Sequence, residues 1–116
     1  MSSKRSTAEN ESKQVSVLEM VLYRLQPGVT SETILALSDE MQGWLEQQPG
    51  YLRRELFMAE DGQWLDLVYW ASMAEAVTAG GQIFAQPFAA NFGTIFAPDA
   101  TGLHLYQVRN YAAMPV

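Results

Sequence analysis

The chain has 116 residues, 48% of them apolar, no cysteine and a formal net charge of −6. Length and composition suit one domain with a real hydrophobic core. The missing cysteines exclude disulfides and cysteine-ligated zinc or iron–sulfur centres. Basic residues beyond the first fourteen positions are only Arg24, Arg53, Arg54 and Arg109, which disfavours nucleic acid and anionic membranes as partners.

Residues 1–14, MSSKRSTAENESKQ, contain no Leu, Ile, Val, Phe, Trp or Tyr. Such a segment buries too little surface to offset its ordering entropy. It is expected to be a flexible tail, followed by a single domain over 15–116. No apolar run follows the basic residues, and no stretch approaches the roughly 20 apolar residues of a membrane span. Neither a signal peptide nor a spanning helix is expected, and a cytoplasmic location is.

VSVLEMVLYRL, from Val15, is rich in β-branched and aromatic residues and predicts a strand. QPGVTSE then stops the strand and starts a helix, with Thr30 or Ser31 as N-cap and Glu32 suited to the positive end of the helix dipole. Ile34, Leu37, Met41 and Trp44/Leu45 recur at helical spacing until Pro49–Gly50. YLRRELFMAE and QWLDLVYW predict two strands joined at Asp61–Gly62, a strong hairpin signal. Ser72–Met73–Ala74–Glu75 is a capping box and opens a second helix, which Gly80–Gly81 should weaken or bend. Pro87 suits the first turn of a short helix with Phe88, Phe92 and Ile95 as its apolar stripe. LHLYQVRNY predicts the last strand. The order is βαββαβ, an α+β ferredoxin-like arrangement with both helices on one face of an antiparallel sheet.

Period-two alternation sorts the strand residues into two sets. Leu18, Met20, Leu22, Leu52, Leu56, Met58, Leu65, Leu67, Tyr69, Leu103 and Leu105 form a nearly all-apolar set, expected under the helices. The other set mixes aromatics such as Tyr23, Trp64 and Trp70 with Glu19, Arg53, Glu55, Asp66 and His104. A sheet face so rich in aromatics predicts an interface, with a homodimer as the commonest form. Asp66, between Trp64 and Trp70, is then expected to pair with Arg53 at that interface.

From about Val17 to Tyr111 the chain resembles the dimeric α/β-barrel superfamily, and within it the antibiotic-biosynthesis-monooxygenase-like domains. VLEMVLYRLQPGV, QQPGYLRRELF, DGQWLDLVYWASMAEA and FAANF carry the resemblance. It implies sheet-to-sheet homodimers, a small-molecule pocket between sheet and helices, and an activity such as cofactor-independent oxidation of aromatic quinols. No cofactor is expected. The haem-degrading members' Asn, Trp and His set finds no place here, since the one histidine, His104, stands on a strand and not on a helix.

Glu19 and His104 are the candidate catalytic pair, because a carboxylate beside an imidazole makes a proton-transfer unit. The same two side chains also suit a polar pair that fixes sheet or dimer register. Tyr23, Trp64, Tyr69, Trp70 and Tyr106 are candidates for stacking on a flat ligand, or for plain packing. Phe84, Phe88 and Phe92 are candidate cavity walls, with room beside Gly80–Gly81, and Asn91 is the candidate polar group among them. One histidine and scattered carboxylates lack the spacing of a metal ligand set. Two functions remain open on this basis. One is a cofactor-independent monooxygenase acting on an aromatic or quinol-type substrate. The other is a non-catalytic ligand-binding or structural dimer of the same fold.

Overall fold

The computed structural model describes residues 14–111. Most of the expected tail, residues 1–13, and the last residues, 112–116, lie outside the described part. The elements are β1 (Val17–Tyr23), α1 (Ser31–Leu45), β2 (Tyr51–Met58), β3 (Trp64–Trp70), α2 (Met73–Ile83), a 3-10 turn (Pro87–Asn91), the single-turn α3 (Phe92–Ile95) and β4 (Thr101–Tyr106). The sheet is antiparallel with order β2-β3-β1-β4. This is the ferredoxin-like α+β fold.

Local chemistry sets the boundaries. Thr30 caps α1, its side chain accepting from the Thr33 N–H, and Ser72 caps α2 by accepting from the Glu75 N–H. Each satisfies a donor that the first helical turn would otherwise leave unpaired. The β2–β3 turn needs a left-handed residue, and Gly62 supplies it at φ +88°. The helix α2 runs unbroken through Gly80 and Gly81, so the expected weakening there does not interrupt it. The last strand begins two residues before Leu103 and ends at Tyr106, leaving 107–111 outside the sheet.

The strand β3 alternates strictly, with Trp64, Asp66, Val68 and Trp70 buried and Leu65, Leu67 and Tyr69 half-buried. The buried set faces the helices. Trp70 and Val17 pack with Leu45, Ala76 and Ala79 in one core cluster, while Tyr23 and Trp64 pack with Ile34, Leu37 and Ile95 in a second. Met41 touches both. The expectation for the two faces of β1, β3 and β4 is therefore corrected: the mixed aromatic and ionisable set lies under the helices, and the Leu/Met set is bare. Alternation states which residues share a face, but the more apolar set is not thereby the one the helices cover.

In β2 the outcome differs because of a bulge. Tyr51 pairs with Trp70 and Arg53 with Tyr69, so Leu52 is an extra residue without a partner. Tyr51 and Leu52 are both buried. Beyond the bulge, Arg54, Leu56 and Met58 pair with Val68, Asp66 and Trp64 and share the helix side with them. Arg53, Glu55 and Phe57 point to the bare side.

Candidate functional site

A cavity of about 400 Å3 lies between β1 and the C-terminal half of α2. Glu19, Val21 and Tyr23 of β1, Asp66 of β3 and His104 of β4 form its floor, since residues two apart on a strand project to one side. Val77, Gly80, Ile83 and Phe84 of α2 roof it, and Phe92, Phe96 and Met41 wall it. Gly80 leaves open space where a side chain would stand. Phe96 is held in place by backbone bonding to the segment just after β1: Gln26 N–H donates to the Ile95 carbonyl at 2.8 Å, and Ala97 N–H to the Arg24 carbonyl at 2.8 Å. Phe84, Phe92 and Phe96 make successive edge-on contacts, 6.0 Å and 5.3 Å between centroids. The interior is apolar, and its polar groups are gathered on the sheet side. A second recess of about 300 Å3, by Gln48, Pro49 and α2, offers one ionisable group, Glu75, which already accepts from the Ser72 hydroxyl at 2.9 Å.

The two edges of the floor meet at Glu19 and His104, which are directly paired across β1 and β4. His104 Nε2 lies 3.5 Å from Glu19 Oε2. The other carboxylate oxygen accepts from the Trp70 indole N–H at 3.1 Å. Burial raises the Glu19 carboxyl above its ordinary range; the Trp70 hydrogen bond and His104 act against this, and Asp66 adds to it. The carboxyl is thus oriented at both oxygens and made a better base than a free glutamate. A base next to an imidazole, at the edge of an apolar cavity, can take a proton from a ligand hydroxyl or an activated C–H.

Asp66 is fully committed. Arg54 Nε donates to its Oδ1 at 2.9 Å and Nη2 to its Oδ2 at 2.7 Å, with both side chains nearly buried. Arg54 Nη1 also reaches the Ser38 carbonyl of α1 at 3.1 Å. The expected Arg53–Asp66 interface pair is therefore corrected. The bulge at Leu52 turns Arg54 inward and Arg53 outward, where Arg53 lies over the Tyr69 ring at 4.1 Å. Tyr69 donates from its hydroxyl to Glu55 Oε1 at 2.7 Å on the same side.

Of the residues singled out from sequence, Glu19, His104, Phe84 and Phe92 line the cavity. Tyr69 does not, because strand alternation sends it to the opposite side of the sheet. Trp70 is 0% exposed and stands behind Glu19 as its hydrogen-bond donor. Phe88 packs against Trp44 and the second core cluster. Asn91 is exposed, and its carbonyl accepts from Thr94. Tyr23, one of the aromatic stacking candidates, and Val21 belong to the floor beside Asp66. The signal for them was the i, i+2, i+4 run Glu19–Val21–Tyr23, once its face is known to be the helix side.

The fold is that of solved antibiotic biosynthesis monooxygenases. A SnoaB variant from Streptomyces nogalater, a cofactor-independent oxygenase, superposes with a TM-score of 0.71 at 12% identity, over 84% of this chain and 97% of that one. A monooxygenase from the gene ActVA-Orf6 of Streptomyces coelicolor, in complex with the ligand Nanaomycin D, gives 0.63 at 16% identity over 88% and 94%. A protein of unknown function from Nitrosomonas europaea gives 0.68 at 12% identity over 88% and 96%. No protein-family model matches the chain, and no curated protein matches it in sequence. Among the described residues, no helix is long and apolar enough to cross a membrane.

Proposed function

We propose that this chain is a cofactor-independent monooxygenase acting on an aromatic, quinol-type substrate. The observation that carries the reading is the Glu19–His104 pair at the floor of an apolar cavity of about 400 Å3. The substrate's ring would lie among Phe84, Phe92 and Phe96. Glu19 with His104 would take the proton whose loss makes the ring electron-rich enough to reduce dioxygen. One oxygen atom enters the substrate and the other leaves as water, with the electrons supplied by the substrate itself. The likeness to SnoaB and the ActVA-Orf6 product supports this reading at the level of fold.

The protein is further expected to work as a homodimer. The bare face carries Leu18, Met20, Leu65, Leu67, Leu103 and Leu105, with Leu103 and Phe57 about half exposed. An apolar sheet face of this extent is suited to a second copy of itself.

The test is oxygen uptake with anthrone and related hydroxyanthrones. Purified protein should accelerate uptake over the buffer rate, and His104→Gln should remove most of that acceleration. Wild-type protein that binds these compounds without consuming oxygen would replace the reading with a ligand carrier.

A further inference from the structure

The cavity floor has a second polar end that the Glu19–His104 chemistry does not use. Tyr23 is 5% exposed and lines the cavity. Its ring is held on two sides, stacked near Trp64 at 6.2 Å and edge-on to Phe96 at 4.7 Å. The hydroxyl has no hydrogen-bond partner among the described residues. The one nearby group of high acceptor strength, Asp66, spends both carboxylate oxygens on Arg54. Gln63, which reaches Tyr23, donates to its backbone carbonyl at 2.9 Å and not to its phenol. A buried hydroxyl left without a partner costs roughly 1–3 kcal/mol, so native structures seldom keep one except where something else completes it.

We propose that the Tyr23 hydroxyl is a ligand-binding group that donates a hydrogen bond to a carbonyl oxygen on the aromatic substrate, and so fixes which end of the substrate faces Glu19. The ligand this calls for is a flat aromatic with a carbonyl acceptor at the end away from Glu19. Tyr23 and Glu19 are four residues apart on one strand face, about 13 Å along the strand at roughly 3.3 Å per residue. Their side chains therefore address opposite ends of a flat ligand lying over Val21. Burial, with the Asp66 charge next in weight, holds the phenol protonated far above neutral pH, so it serves as a donor and calls for an acceptor. The inference rests on the reading of this cavity as the substrate site.

The test compares anthrone with 9,10-dihydroanthracene, which has the same three rings and no carbonyl, by quenching of tryptophan fluorescence. Tyr23→Phe, which keeps the ring packing, should weaken anthrone binding about five- to tenfold, the worth of one net hydrogen bond. Dihydroanthracene binding should change less than twofold, and circular dichroism should confirm an unchanged fold. Equal loss for both ligands, or no loss for either, overturns the role of Tyr23 while leaving the cavity as the site. Wild-type protein that binds neither compound overturns the site reading, and this proposal with it.

Discussion

Arg54 holds Asp66 in a two-pronged grip, Nε to Oδ1 and Nη2 to Oδ2, in the layer between the sheet and α1. The pair is diagonal across β2 and β3, and Arg54 extends it to the Ser38 carbonyl. A buried ion pair of this kind is costly to break from one side, because the surviving charge is left without a partner. Asp66→Asn should lower unfolding free energy by about 3 kcal/mol in urea titration. Arg54→Met with Asp66→Leu together should recover much of that loss, and a double-mutant cycle measures the coupling. Two losses that merely add would show that the pair is not coupled.

Glu19 should leave a signature in the pH dependence of stability. Its folded-state carboxyl binds its proton more tightly than in the unfolded chain. Its contribution is therefore fully present below the unfolded value, near 4.5, and is lost as pH rises through the raised folded value. Glu19→Gln removes that group while keeping an acceptor for the Trp70 indole. The difference between wild-type and variant melting temperatures, plotted against pH, should slope from pH 4.5 upward in favour of the variant. A flat difference curve would mean that burial does not perturb this carboxyl.

Two glycines should respond in opposite directions to the same substitution. A Cβ at Gly80 meets nothing within contact distance, and alanine is the better helix former by about 1 kcal/mol. Gly80→Ala should raise the melting temperature. Gly50 has φ +82°, and a Cβ there would run into the Glu75 side chain. Gly50→Ala should destabilise by more than 1 kcal/mol, roughly, from backbone strain alone.

The bare sheet face gives a clean assembly test. Leu67 stands at the middle of β3 on that face, away from the cavity floor. Leu67→Asp should shift the sedimentation profile from dimer to monomer, and far-ultraviolet circular dichroism should stay the same. A wild-type protein that sediments as a monomer at micromolar concentration would remove the dimer from the proposed function.

The elements were legible because their signals are local. Thr30 and Ser72 announce two helices, Asp61–Gly62 the hairpin, and the tryptophans of Trp64–Trp70 a strand of strict alternation. The orientation of the sheet was not. Both faces of this sheet are substantially apolar, so hydrophobicity could not say which one the helices cover. Asp66 was expected at an outer interface with Arg53, one strand position away from Arg54, the partner it has. Leu52, in a run that reads as plain alternation, carries no glycine or proline to betray a bulge. Glu19 and His104 were found as a pair because cross-strand neighbours on an antiparallel sheet need only the strand order. Placing Tyr23 on the cavity floor required knowing which side of β1 is roofed.

The extra residue at Leu52 acts as a phase shifter in β2. With it, the chain counts two inward side chains in succession before resuming its beat, and every later residue of the strand lands on the opposite beat. Paired as a plain ladder from Tyr51–Trp70, with Leu52 opposite Tyr69, the same strand would put Arg54 on the outer side and Arg53 and Glu55 against the helices. Glu55 would then stand directly opposite Asp66, a like charge where Leu56 now sits. One extra leucine thus sets the timing by which an apolar side chain, not an acid, stands opposite Asp66 behind the cavity.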